Sequence, residues 1–518
     1  MYQHGAVFSP HAERRGCGCD GRRTGKNRLK KACVVHVYAA ICKYMHSAPA
    51  KTLFSSAQVA ERAGIHKDTL LRWLRQGVVQ EPKRDRHGWR IFTPEEAARI
   101  EAIAKSEQPP SDSPFELRDA PGPPAAMERL GRIDWDFREA KTSYLTHGLH
   151  PYPAKFIPQI PNALIQELSD VGSTVGDIFC GSGTTLVEGM LLKRNVVGVD
   201  ANPLACLISA AKTARLQDGD KDLLMQLAQR SGHLADEFAT DVTQTLFPVA
   251  KFVSKAPRPA GKAIDFWFEP FITEELAEIL SWCRKLPTES ARNIALASFS
   301  AIVVNVSRQD SDTRYVRRAK KLCPGDAFRR FAQVLSENAN ASERFTDILE
   351  PNISCKIFHA DLLSSPEIPM LDLVVCSPPY PNAFSYHLYH MTRMVWLGMN
   401  QPEFKKREIG SHRKFSSKGR NGATIETFQN EMVSIFGWLK KMIRQGGHAC
   451  FVVGNSIIRG QAYDNAMVLT NAASVNGFTQ IAALTRNLKD TAKAFNPKIG
   501  KIKTEKVLIY QNSSTSYL

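Results

Sequence analysis

Thr174-Val175-Gly176-Asp177-Ile178-Phe179-Cys180-Gly181-Ser182-Gly183-Thr184-Thr185 is the stretch that decides how this chain folds. Residues 174–179 read as a buried strand, and Cys180 to Thr185 as a tight glycine turn. Leu186, Val187, Gly189, Met190 and Leu191 then supply a packed helix. Asn195-Val196-Val197-Gly198-Val199-Asp200 follows as a second strand, closed by a carboxylate. Strand, glycine turn, helix and terminal carboxylate make the nucleotide-binding half of a doubly wound α/β sheet. The glycines let the backbone approach a ligand, and Asp200 is placed to accept from ribose hydroxyls.

Three ligands compete for such a turn. A P-loop is ruled out because no Gly-Lys-[Ser/Thr] follows the glycines, so no lysine reaches a phosphate. A dinucleotide site wants G-x-G-x-x-G, and here the third glycine comes late, at Gly189. S-adenosylmethionine remains: it offers a ribose to Asp200 and has no pyrophosphate to cradle.

A second motif narrows the chemistry. Leu373-Val374-Val375-Cys376, entered from Asp372, is a short apolar strand running into Ser377-Pro378-Pro379-Tyr380. Adjacent prolines fix two φ angles and supply no N–H. The turn therefore presents carbonyl acceptors, chiefly that of Pro378, beside the Ser377 hydroxyl and the flat Tyr380 ring. An exocyclic amine of an extruded nucleobase needs such a pocket, with acceptors for its hydrogens and an aromatic face for its ring. Catalysis there comes from positioning and electrostatics, without a covalent intermediate.

With both motifs in place, the chain resembles the amino-methylating DNA methyltransferases of the N4-cytosine/N6-adenine group over about residues 133–511. The family's cofactor motif, Asp-Pro-Phe-x-Gly-Ser-Gly-Thr-Thr, is matched at Asp177–Thr185 with Ile178 in place of proline. The resemblance implies S-adenosyl-L-methionine as cofactor, held by Asp177, Phe179, Gly181, Ser182, Gly183, Thr184 and Asp200. The family's motif before the first strand matches His150-Pro151-Tyr152-Pro153-Ala154-Lys155-Phe156, which makes Tyr152 and Lys155 a lining for the methionine end. Asp361 matches the carboxylate that meets the cofactor's adenine. Ser377, Pro378, Pro379 and Tyr380 become the catalytic loop. Serine ahead of the prolines points to N4 of cytosine, with N6 of adenine as the alternative. C5 methylation is excluded, because it needs a thiolate in the proline loop and Tyr380 stands there instead. An RNA base methyltransferase, or a DNA-binding regulator with a degenerate methyltransferase half, are the remaining alternatives.

Around this core, His448–Gly454 and Val507–Tyr510 read as further strands, and Phe428, Met432, Ile435, Phe436, Leu439 and Met442 fall at helical spacing. Residues 205–355 read as a largely helical insertion with a role in target recognition. A second insertion, Lys405 to Arg420, is basic and reads as a mobile loop over phosphates, with Arg413 and Lys414 as DNA contacts.

The N-terminal part is organised differently. Residues 1–50 read as a basic, disordered arm; its Cys17, Cys19, Cys33 and Cys42 lack zinc-ligand spacing, so no metal is expected. Residues 52–104 follow helix-turn-helix grammar. Val59, Ala60 and Ala63 line one helix, and Leu70, Leu71, Trp73 and Leu74 the next, which turns Lys67, Arg72 and Arg75 outward toward DNA. Thr93-Pro94-Glu95-Glu96 opens another helix as a capping box. This stretch resembles the DNA-binding domain of MerR-type winged helix-turn-helix regulators. Residues 105–130 read as a Pro-rich linker and 131–518 as the methyltransferase domain. The expected fold class is therefore α/β: a Rossmann-like S-adenosylmethionine-dependent methyltransferase sheet with a helical insertion, plus a small N-terminal winged helix-turn-helix domain.

Composition agrees with a polyanionic partner. The 518 residues carry 68 Lys and Arg against 51 Asp and Glu, a net charge of +17, which favours double-stranded DNA through counterion release. A companion restriction endonuclease is the second partner to look for. No apolar run approaches the roughly 20 residues of a bilayer span, and the start lacks an apolar signal core. Eleven cysteines without framework spacing suit reduced thiols, and the expected location is cytoplasmic.

Overall fold

The computed structural model describes residues 54–63, 70, 74, 79–80, 82–83, 90–106, 123–244, 252–381, 384–416, 422–488 and 504–513. The chain divides into two compact units, Met1–Asp112 and Ser113–Leu518. Among the described residues, no helix is long and apolar enough to cross a membrane.

In the first unit, Phe54–Ser55 pairs antiparallel with Ile91–Phe92. Helices Ser56–Arg62 and Pro94–Ser106 close over Val59, Leu70, Leu74, Phe92, Ala97 and Ile100. Thr93 and Glu96 exchange hydrogen bonds at the second helix start, Thr93 N–H to Glu96 at 2.8 Å and Glu96 N–H to Thr93 Oγ1 at 3.2 Å. That is the expected capping box. Lys67, Arg72 and Arg75 lie outside the described residues, as does the arm 1–50 with its four cysteines.

The second unit is built on seven strands: β1 (Thr174–Asp177), β2 (Asn195–Asp200), β3 (Cys355–His359), β4 (Leu371–Cys376), β5 (Ile443–Gly454), β6 (Phe478–Asn487) and β7 (Thr504–Asn512). Their spatial order is β6-β7-β5-β4-β1-β2-β3. The five strands from β5 to β3 run parallel, and β7 is antiparallel to both β5 and β6. Chain order reverses between β1 and β4, which are neighbours with Val175 opposite Leu373 and Gly176 opposite Val374. Such a reversal opens a crevice at the carboxyl ends of the two strands, where ligands of open α/β sheets bind. Both motifs emerge from those two strand ends.

Period-two alternation splits the core across the sheet. Cys450, Val452, Val507 and Ile509 face one side, against α1 (Pro123–Arg132) and α2 (Gln159–Leu168). Phe451, Val453, Leu508 and Tyr510 face the other, against a later pair of helices that carry Phe428, Ile435 and Leu469. Helix α1 shortens the expected linker 105–130. Pro123 and Pro124 sit at the helix start, where a missing N–H costs nothing, and Ala126 and Leu130 are buried in the sheet core.

Following β1 comes α3 (Thr184–Leu191), and following β2 comes α4 (Pro203–Lys212). The expected insertion at 205–355 begins later than its first boundary, since α4 packs on β2 and β3 as an ordinary crossover helix. The inserted body is α5 (Asp220–Gln244), α6 (Pro270–Arg284), α7 (Glu289–Val303) and α8 (Asp326–Asp347), around Leu276, Leu280, Phe299, Phe328 and Phe331. The pair closing the second face of the sheet is α9 (Ile425–Met442) and α10 (Asn465–Val475).

The basic segment 405–420 is not a mobile loop over its described part. Short helices Gln401–Arg407 and His412–Ser416 bury Phe404, Ile409 and Phe415. Glu408 is buried too, 2.5 Å from His387 Nδ1. Lys414 donates to Glu431 at 2.6 Å and keeps about a third of its side chain exposed. Arg413 stays exposed.

Candidate active site

A cavity of about 370 Å³ opens at the carboxyl ends of β1 and β4. Asp200, at the end of β2, accepts the Gly181 N–H on Oδ2 and the Asn202 N–H on Oδ1, each at 2.8 Å. Burial pushes its acid up to about 6, against the pull of those two bonds. The carboxylate thereby ties the glycine turn to β2 and still has lone pairs for a hydroxyl. Asp177 lies beneath the turn, accepting from Phe179 N–H at 3.1 Å, and burial raises it to about 7. Asp177 braces the loop that Phe179, Gly181, Ser182 and Thr184 present to the cavity.

Gly183 departs from expectation, for it does not line the cavity. Its φ is +75°, and a Cβ there would lie 2.8 Å from Ser209 Oγ and 3.0 Å from Ser209 Cα on α4. Glycine is needed there for close packing of the turn on α4.

Tyr152 and Lys155 also line the cavity, the Tyr152 ring lying against Gly181 of the glycine turn. The Tyr152 ring stacks on Tyr386 with centroids 5.4 Å apart. Lys155 Nζ donates to the carbonyls of Thr142, at 2.9 Å, and His147, at 2.5 Å, and burial lowers its pKa to about 8. Behind this wall Glu188, fully buried on α3, gathers Tyr144 OH and His147 Nε2 on Oε1, both at 2.6 Å, and Asn162 Nδ2 on Oε2 at 2.8 Å. Its only trace in the sequence is an acid inside the apolar run Leu186–Leu191. Glu188→Ala should strip acceptors from three donors and cost about 2–4 kcal/mol of stability. Denaturant unfolding checks this, and a change within 0.5 kcal/mol of zero contradicts it.

At the β3 end, Asp361 lines the cavity beside Ala360 and caps a short turn through Leu363 N–H at 3.0 Å. At the β4 end, Ser377, Pro378, Pro379 and Tyr380 all line it. The Ser377 hydroxyl donates to the Val452 carbonyl of β5 at 3.1 Å. Its proton is thus committed to the sheet and its lone pairs are left as acceptors. Burial, and then Glu505, push the Tyr380 phenol up, so it stays neutral. Cys376 is wholly buried, as expected of a packing thiol. Sequence reading missed Tyr386, Phe404, Glu408, Arg486 and Glu505, which are among the further lining residues.

The lining fits S-adenosyl-L-methionine. An acceptor for a ribose stands at Asp200, and an acid beside the apolar Ala360 and Leu362 stands at Asp361. Thr184 Oγ1 is a buried polar atom with no partner among the described residues.

The strand order with its glycine turn and neighbouring Ser-Pro-Pro-Tyr loop defines a Rossmann-like methyltransferase fold carrying a helical insertion. Comparison with known proteins bears out the two resemblances. Residues 87–211 match the DNA methylase family model, and residues 54–106 match that of the MerR HTH family regulatory proteins. The type II methyltransferase M.MjaII of Methanocaldococcus jannaschii is 36% identical over 121 residues, 21% of this chain and 23% of that protein. The type II methyltransferase M.MvaI of Kocuria varians is 27% identical over 281 residues, 51% of this chain and 60% of that protein. This chain thus spans less than two thirds of either curated relative. Among solved structures, TrmN from Thermus thermophilus is 10% identical with a TM-score of 0.27, covering 69% of this chain and 49% of that one.

Proposed function

We propose that this chain is a site-specific DNA methyltransferase that moves the methyl group of S-adenosylmethionine to the exocyclic amine of an extruded base, N4 of cytosine. The observation that carries the reading is the adjacency of β1 and β4, which sets the glycine turn and the Ser-Pro-Pro-Tyr loop around one cavity.

When bound, the cofactor supplies an electrophilic methyl on a sulfonium. The chain's residues do the positioning. Asp200 and Asp361 orient the nucleoside, while Tyr152 closes the methionine end. Ser377 Oγ and the Pro378 carbonyl accept the amine's hydrogens, drawing its lone pair out of conjugation and toward the methyl. Tyr380 supplies the surface on which the base stacks. The Pro379 carbonyl is turned against Gly410, which leaves that of Pro378 for the amine. The N-terminal unit adds duplex affinity, and Arg413 adds a phosphate contact.

Incubating the full chain with S-adenosylmethionine and unmethylated duplex DNA, with tRNA in parallel, tests this by mass spectrometry of released nucleosides. N4-methylcytosine from DNA is expected. N6-methyladenine contradicts the choice of base, and methylated tRNA alone contradicts the choice of substrate.

Asp177 and Asp200 set the pH dependence of cofactor binding. The charged form of Asp200 is the better acceptor for ribose hydroxyls, so binding favours the deprotonated site. Affinity should fall as pH drops through about 7 and then about 6, as Asp177 and then Asp200 take up protons, by at most about tenfold per unit for each group. Asp200→Asn should weaken binding about tenfold and remove the part of the fall centred near pH 6. Calorimetry between pH 5 and 8 checks this, and a flat profile for the unaltered chain contradicts it.

A further inference from the structure

The cavity holds a polar pair that neither the cofactor site nor the Ser-Pro-Pro-Tyr loop uses. Arg486 on β6 and Glu505 on β7 stand opposite each other in register, and Glu505 stands opposite Gly454 of β5. Arg486 Nη1 donates to Glu505 Oε2 at 3.0 Å. Arg486 is only 4% exposed, and its Nε–H finds no acceptor among the described residues. Both side chains line the cavity with Ser377 and Tyr380.

A buried guanidinium N–H with no acceptor is costly unless something that enters the cavity satisfies it. Sheet order sets the pair apart from the two carboxylates of the cofactor site. Asp200 and Asp361 lie with β2 and β3 on one side of the β1–β4 crevice, whereas β5, β7 and β6 lie on the other, beyond the Ser-Pro-Pro-Tyr strand. The pair therefore belongs to the half of the cavity that takes the base. Glu505 offsets the charge of Arg486, so a neutral ligand with acceptors suffices and no anion is demanded.

The two amine-bearing bases differ along the edge that continues from the amine. Cytosine offers two neighbouring acceptors, N3 and O2. Adenine offers N1 and then a C–H. A planar guanidinium donates along parallel directions and matches the cytosine edge at two atoms but the adenine edge at one. We propose that Arg486, held by Glu505, donates to N3 and O2 of the extruded base and so selects cytosine over adenine. The proposal rests on the methyl-transfer reading above.

Its test uses the full chain, unmethylated duplex DNA and S-adenosylmethionine, with released nucleosides quantified for the unaltered protein, Arg486→Gln and Arg486→Lys. Arg486→Gln should form N4-methylcytosine at least tenfold more slowly, with cofactor affinity by calorimetry within twofold. Arg486→Lys keeps the charge against Glu505 while losing the fork, so it should fold normally and also be slow. Full rates in both variants, with N4-methylcytosine from the unaltered chain, would overturn the role of Arg486 and leave the cytosine reading standing. N6-methyladenine from the unaltered chain overturns the cytosine reading itself, before either variant is assayed. Cofactor binding weakened tenfold in Arg486→Lys would place the guanidinium on the cofactor and also overturn the proposal.

Discussion

Tyr380→Ala should slow methyl transfer about a hundredfold while S-adenosylmethionine affinity stays within twofold. The ring lines the half of the cavity beyond β4, and stacking a base on an aromatic face is worth about 1–3 kcal/mol. Removing it lets the extruded base tilt, so the amine leaves the line of attack as well as losing its support. Tyr380→Phe keeps the face and should stay within a few-fold of the unaltered rate, since the neutral phenol is not asked to move a proton. Ser377→Ala should be milder, because the Pro378 carbonyl still accepts from the amine. Single-turnover rates with saturating cofactor separate these outcomes. An unaltered rate in Tyr380→Ala contradicts the pocket.

Gly410→Ala should have an effect of similar size through the backbone of the catalytic loop. Gly410 has φ +72°, and a Cβ there would lie 2.3 Å from the Pro379 carbonyl oxygen and 2.9 Å from the Tyr380 nitrogen. One of the two backbones must give by about an ångström. The Gly410 side is the harder to move. Glu408 is fixed to His387, and Ser411 Oγ lies 2.9 Å from Ser385 Oγ, so the strap is anchored on both flanks. The Pro-Pro turn therefore shifts, and a misplacement of about 1 Å at a reacting centre costs on the order of a hundredfold in rate. The left-handed φ adds roughly 1–2 kcal/mol of strain. Expected are a Tm a few degrees lower, unchanged cofactor affinity and a rate down about a hundredfold. Full activity would show that the strap does not position the loop.

Local signals carried much of the architecture. Thr174–Asp200 and Leu373–Tyr380 are each a strand with its own turn, so their patterns are complete within 30 residues. The capping box at Thr93 and the helical spacing from Phe428 to Met442 are equally local. What stayed hidden depends on partners far along the chain. Gly183 reads as a ligand-facing glycine until α4 brings Ser209 against it. The ion pair of Lys414 with Glu431 needs α9, which lies outside the local pattern. Arg486 lies on β6, which the sequence pattern does not reveal, and Glu505 just ahead of the strand read at Val507–Tyr510; only the insertion of β7 between β5 and β6 brings the two together at the cavity. Helix α1 was masked by its own prolines, which open a helix as readily as they extend a linker.

The cofactor and the extruded base should meet between β1 and β4. A crystal structure of the full chain with duplex DNA carrying its unmethylated target site and a non-reactive analogue of S-adenosylmethionine measures this directly. The analogue's ribose should sit on Asp200 and the base should stack on Tyr380. The amine should lie on Ser377, with its nitrogen about 3–3.5 Å from the position of the transferred methyl. A base left stacked in the duplex, or an analogue bound away from Asp200, would contradict this arrangement.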